Sequence, residues 1–216
     1  MRNFSVTEAI SFGWEITKRK LVFFIFLILF VLFISFLTNI VPSYVSEEAP
    51  LISIVVSGIS FVINIFVQMG LTRITLKYCD NREGELKDLI STFPLFFKYL
   101  LGVVLYSLII IAGLVLLIVP GIIWGIRYQY VGYLIIDQNL DPIEALKKSS
   151  EITSGSKWDL FLFNIILGLI NIMGFLLFIV GLFLSIPTTL LAYAFVYRKL
   201  LSQLPKNTSP EYQKIG

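Results

Sequence analysis

Histidine is absent from these 216 residues, and cysteine occurs once, at Cys79. Without imidazole there is no His-dependent triad, no histidine metal site and no histidine proton shuttle. A single thiol excludes an internal disulfide, and as a nucleophile it would lack an imidazole base. Charge is scarce too: 14% of residues are Asp, Glu, Lys or Arg, against roughly 25% in a soluble domain. A surface so poor in charge cannot all face water. The sequence has no P-loop, no nucleophile elbow, no zinc-ligand spacing and no dinucleotide fingerprint. No carboxylate lies in the interior of a long apolar run. The chain is therefore read as non-enzymatic, with no cofactor and no metal.

What the sequence has in quantity is apolar length: 57% of residues are hydrophobic and mean hydropathy is +0.88. The apolar residues gather in six runs, at about 21–41, 51–71, 95–119, 122–136, 158–180 and 182–197. At 1.5 Å per residue, about 20 residues cross a bilayer core of about 30 Å. The spacing predicts an all-α polytopic membrane bundle of six spans. Lys18, Arg19 and Lys20 precede a run too long for a signal h-region and without a small-residue cleavage site, so the first run reads as a retained span. Pro42, Ser43, Glu47 and Glu48 predict a short loop, Asp80 to Gly84 a turn in the polar stretch 72–93, Pro120-Gly121 a tight turn, and Gly181 another. Residues 203–216 read as a disordered tail.

Positive charge decides orientation. Every Lys and Arg except Arg127 lies in the N-terminal segment, the second or fourth connection, or the C-terminal end, with Lys98, at the start of the third run, counted in the second connection. The other three connections have none. The expected protein lies in the cell membrane with both ends in the cytoplasm. A net charge of +3 does not indicate nucleic acid, because the cations sit beside apolar runs, where they hold topology. The expected partners are membrane lipids.

Two cytoplasmic segments match at a separation of 136 residues. One contains Ser5, Glu8, Ala9, Ile10, Glu15, Ile16 and Thr17; the other contains Asp141, Glu144, Ala145, Leu146, Glu151, Ile152 and Thr153. Ser5 and Asp141 suit an N-cap, the Glu three residues on completes a capping box, and Pro142 suits a first helical position. Glu8, Ser11, Glu15 and Lys18 share a polar face, opposite Val6, Ile10 and Trp14. Each segment is predicted to be an amphipathic interfacial helix leading into a helical hairpin, and 85–97 is a weaker third copy.

Arg127 stands out among candidate functional residues. It lies seven residues, about 10 Å, beyond Pro120. An arginine at depth costs roughly 2.5–3.5 kcal/mol on insertion scales and marks a functional site by default. Two readings stand side by side: it binds an anion or lipid phosphate, with Tyr128 and Gln129 supplying hydrogen bonds, or it snorkels from a tilted or broken span. Lys147 and Lys148 attract anionic lipid at about 1 kcal/mol per charge. Asn64, Gln68, Asn164 and Asn171 are expected to bond between helices. Tyr44, Trp124, Trp158, Tyr193 and Tyr197 are expected in the interfacial belt.

The stretch Val119-Pro120-Gly121, then Arg127, Asp137, and Glu144-Ala145-Leu146 followed by Ser149, Thr153, Gly155 and Trp158, carries a resemblance. It resembles the membrane domain fused to some glycerophosphoryl diester phosphodiesterases and related uncharacterised prokaryotic six-span membrane proteins. The likeness covers about residues 95–200. It implies an integral membrane protein, without the diesterase chemistry, which belongs to a separate metal-dependent domain. The sequence thus leads to a non-catalytic lipid-interacting or scaffold module. Its rival is a small-anion or lipid transporter or channel using Arg127.

Overall fold

The computed structural model describes residues 4–48, 50–177 and 180–204, with side chains described outside 41–51. Among them every regular element is helical. In chain order they are α1 (Val6–Arg19), α2 (Leu21–Glu48), α3 (Pro50–Cys79), α4 (Asp88–Ser91), α5 (Phe96–Leu116), α6 (Ile118–Tyr128), α7 (Val131–Gln138), α8 (Pro142–Ile152), α9 (Lys157–Leu176) and α10 (Leu182–Ser202). A 3₁₀ turn, Phe93–Leu95, joins α4 to α5.

Four segments are long and apolar enough to cross a membrane: Leu21–Ile40, Ile52–Cys79, Asp88–Leu116 and Lys157–Leu176. Their outer faces carry large exposed hydrophobics, among them Phe26, Phe33, Ile54, Phe61, Leu108 and Leu169. An apolar surface on that scale suits hydrocarbon as the surrounding medium. α10 is as long as α5 at 21 residues. It is less apolar because protein surrounds it: Ser185, Thr188, Thr189, Tyr197 and Leu200 are all buried. A helix walled by other helices can carry polar atoms that find partners there.

The structure redraws several predicted boundaries. α2 continues through Pro42 to Glu48, where a loop was expected, and α3 runs on to Cys79. The tight turn expected at Pro120-Gly121 falls instead at Leu117, whose extended backbone (φ −169°, ψ 153°) separates α5 from α6. Pro120 then sits in the first turn of α6, where an N–H has no intrahelical acceptor and its absence costs nothing. Gly121 lets the two helices close, since a Cβ on the facing Gly113 would lie 2.8 Å from the Gly121 Cα. The fourth apolar run is broken into α6 and α7 at Gln129 and Tyr130. The third surface helix amounts to the single turn of α4. The expected disordered tail begins with residues still described to Leu204, and 205–216 lie outside the described residues.

The main core gathers Met69, Leu134, Ile135, Ile152, Phe163, Val196 and Tyr197 from α3, α7, α8, α9 and α10, with Tyr130 from the break before α7. α1 packs on α10, α4 on α3, and α8 on α5 and α7. α1 buries Ala9, Gly13 and Thr17, while Trp14, expected on the apolar face of an interfacial helix, is exposed under Lys18. Small residues at i, i+4 and i+8 bring the two helix backbones together, so the bulky stripe is not the contact stripe. The Ser5 hydroxyl caps α1, accepting from the Glu8 N–H at 3.2 Å. Asp141 does not cap α8 with its side chain; it pairs with Lys98 at 3.0 Å.

Candidate functional site

The break between α6 and α7 leaves backbone groups without helical partners, and α8 supplies them. The Ser149 and Thr153 hydroxyls each donate to the Arg127 carbonyl at 3.1 Å. Ser149 Oγ also accepts from the Tyr130 N–H at 3.3 Å. These are the serine and threonine of the Glu144-to-Gly155 motif. Gly155, with φ 90°, makes the turn out of α8 in a conformation that favours glycine. The motif is therefore a bracket for a discontinuous helix. Its other end is fixed where Asn139 closes α7 in the left-handed region and Lys98 reaches the Asn139 carbonyl at 3.2 Å and Asp141 at 3.0 Å.

Replacing Ser149 by alanine will strand the buried Tyr130 N–H and remove one of two donors from the Arg127 carbonyl. An unmet buried group costs about 1–3 kcal/mol. The expected loss is about 2 kcal/mol in a detergent unfolding titration, and Thr153→Val in the same chain will add to it. A double variant as stable as the wild type would show that α8 does not hold the break.

Arg127 ends α6, half-buried, and its Nε donates to Ser150 Oγ at 2.5 Å. Its guanidinium lies 5.5 Å from the Tyr128 ring centroid, within cation–π range. Among the described residues no carboxylate pairs with it. Gln129 goes elsewhere: its Oε1 accepts from Asn164 Nδ2 and from the Tyr193 hydroxyl, each at 2.9 Å. Lys148 donates to Gln138 at 2.6 Å, and Lys147 is exposed. Arg127 and Tyr128 are thus together, while Gln129, Lys147 and Lys148 serve separate surroundings.

Gln129 and its partners line a cleft of about 390 Å³ with Tyr106 and Phe161. Gln129 Nε2 is buried and has no hydrogen-bond partner among the described residues. Beside the cleft stand four packed tyrosines, Tyr130, Tyr133, Tyr193 and Tyr197, with centroids 5.0 to 6.0 Å apart. Tyr193 and Tyr197, expected at the interface, face this interior. Among the other polar residues on spans, Asn64 bonds Thr38 at 3.1 Å and Asn171 bonds Thr189 at 3.2 Å, linking neighbouring helices as expected. Gln68 is exposed.

A second charged centre escaped the sequence reading. Arg198 at the end of α10 holds Asp137 of α7 at 2.6 Å and Asp80 beyond α3 at 2.8 Å. The Tyr197 hydroxyl donates to the same Asp137 oxygen at 2.8 Å. In the sequence Arg198 reads as a topology cation and Asp137 only as part of the stretch that carries the resemblance. Their pairing across 61 residues leaves no mark in either local sequence.

These features define an all-helical protein with four helices able to cross a membrane and a discontinuous helix bracketed by α8. An uncharacterised protein of Mycobacterium bovis is 27% identical over 141 residues, which is 65% of this chain and 43% of that protein. Two uncharacterised proteins of Mycobacterium tuberculosis match over the same length at 27% and 26% identity. The chain spans less than half the length of these curated relatives. No family model matches it, and no solved structure matches it.

Proposed function

We propose that this chain is a non-catalytic, lipid-interacting membrane module of six spans in three hairpins, with α1, α4 and α8 leading the hairpins at the cytoplasmic face. The fifth and sixth apolar crossings are the broken α6–α7 pair and the protein-walled α10. The cell membrane, with both termini inside, is the location that the charge distribution favours. The observation that carries the reading is the state of Arg127. It is a half-buried cation whose hydrogen-bond partner is a neutral serine, among described residues that offer it no carboxylate. Such a group gains from an anionic headgroup.

Native mass spectrometry of protein extracted with its lipids tests this. The wild type will retain anionic over zwitterionic phospholipid, and Arg127→Leu will lower that preference about five-fold, the equivalent of about 1 kcal/mol per charge. Equal retention by both would remove Arg127 from lipid binding. The polar cleft at Gln129 favours a second reading, passage of a small anion or lipid past Arg127. Flux in proteoliposomes that disappears in Arg127→Leu would select it.

A further inference from the structure

We propose that one anionic glycerophospholipid of the cytoplasmic leaflet binds in the crevice between α6 and α9, at a site separate from Arg127. The proposal rests on the lipid-interacting reading and names the lipid class and the place. A slot of about 390 Å³ runs between the two helices, within the size range of small-molecule sites. Val119, Ile122, Ile123 and Ile126 form one wall and Phe161 the other. Lys157 and Trp158, the first two residues of α9, complete the lining. The polar cleft adjoins the slot directly, because Ile122, Ile126 and Phe161 line both.

The crevice offers a matching surface to each part of a glycerolipid. Lys157 is exposed and has no ion pair among the described residues; Asp159, the acid nearest in sequence, does not line the slot. Its ammonium suits a phosphate, and the exposed Trp158 indole suits the glycerol level beside it. Asn164 lies seven residues, about 10 Å, further along α9. There the cleft presents the Gln129 amide, whose Nε2 is buried without an acceptor. An unmet buried donor is costly, and an ester carbonyl is an acceptor that water-poor surroundings offer. The aliphatic α6 wall, Val119 to Ile126, lines the slot beside Lys157 and Trp158, which suits an acyl chain.

A third groove makes the contrast. It holds about 300 Å³ between α2, α3 and the α4 region, and Phe30, Ile63, Phe66, Leu89 and Phe93 line it. Its lining has no cation and no amide, so nothing there selects a headgroup. The α6–α9 crevice joins an unneutralised cation, an unmet donor and an apolar wall.

The test uses the full chain in phosphatidylcholine nanodiscs doped with phosphatidylglycerol that carries a diazirine on one acyl chain. On illumination, label is expected on peptides containing residues 119–126 and 157–161. Lys157→Gln will lower that labelling about five-fold, and Ile122→Trp, at a half-exposed position that tolerates bulk, will lower it to background. A matched phosphatidylcholine probe will label these peptides weakly in every variant. Label spread evenly over the apolar surface, or unchanged by both variants, overturns the crevice site. If Arg127→Leu still lowers the preference for anionic lipid in that case, the broader reading survives. If the wild type retains no anionic lipid at all, both fall. Unchanged elution volume and melting midpoint for Ile122→Trp show that lost label reflects a filled slot.

Discussion

Arg198→Leu is expected to lower stability by about 3 kcal/mol. Arg198 joins three elements through two carboxylates, and the side chains of Arg198, Asp80 and Asp137 are 27%, 27% and 12% exposed. Removing one member of a buried pair costs about 3–5 kcal/mol, because the charge left behind stays desolvated. Partial exposure puts the expected value at the lower end. Asp80 keeps Arg82 at 2.9 Å, so Asp137 bears most of the loss, with only the Tyr197 hydroxyl left. The second substitution Asp137→Asn should therefore recover about half, as removing the stranded charge does in such cycles. Lysine at 198 will not substitute, since a single ammonium cannot fork to two acids as a guanidinium does. For a chain of this size the midpoint should fall by roughly 6–12 °C in detergent. A shift no larger than for Arg82→Leu would show that the cluster is a surface ornament.

Gly13→Val is expected to lift α1 off α10, at a cost of about 3 kcal/mol. A Cβ on Gly13 would collide with the Thr188 carbonyl and lie 3.2 Å from the Ala192 nitrogen. Both are helix backbone, so neither can swing aside as a side chain would. Overpacking of a tight contact costs about 1–3 kcal/mol, and valine at a backbone contact falls at the top of that range. Lifting the helix also breaks the Thr188–Thr17 hydrogen bond at 3.2 Å and the Lys199–Glu8 pair at 3.2 Å. The readout is a cysteine at Ala9, fully buried in the native chain, with Cys79 changed to serine. Maleimide will label it in the Gly13→Val background and leave it unlabelled otherwise. Protection in both backgrounds would mean that α1 tolerates the added bulk in place.

The helical class and the existence of long apolar elements were legible because each rests on composition summed over twenty residues. Which face of each helix meets protein was not. In hydrocarbon the outer face is as apolar as the inner one, so periodicity carries little signal: Phe26 and Phe33 are exposed while Phe24 and Leu27, of the same chemistry, are buried. The signal lay in small residues: Ala9, Gly13 and Thr17 mark the contact with α10, while Val6, Ile10 and Trp14 had been read as the apolar face of an interfacial helix. The turn at Leu117 was missed because Pro120-Gly121 read as a stop, although proline is equally at home one turn inside a helix start. Arg127, Gln129 and Asn164 were each singled out in sequence. That Gln129 meets Asn164 while Arg127 meets α8 follows from the break in the fourth run, and no local residue pattern announced that break. The motif pointed to Ser149 and Thr153 without saying what they hold.

The seam between α1 and α10 also sets an order of events during synthesis. Thr17 and its partner Thr188 are separated by 171 positions. At about 5–20 residues per second, the ribosome makes the second roughly 9–34 s after the first. Through that interval the Gly13 stripe has no native mate, and the earlier helices must enter the bilayer without it. Any product that ends before α10 leaves this stripe without the surface it packs on.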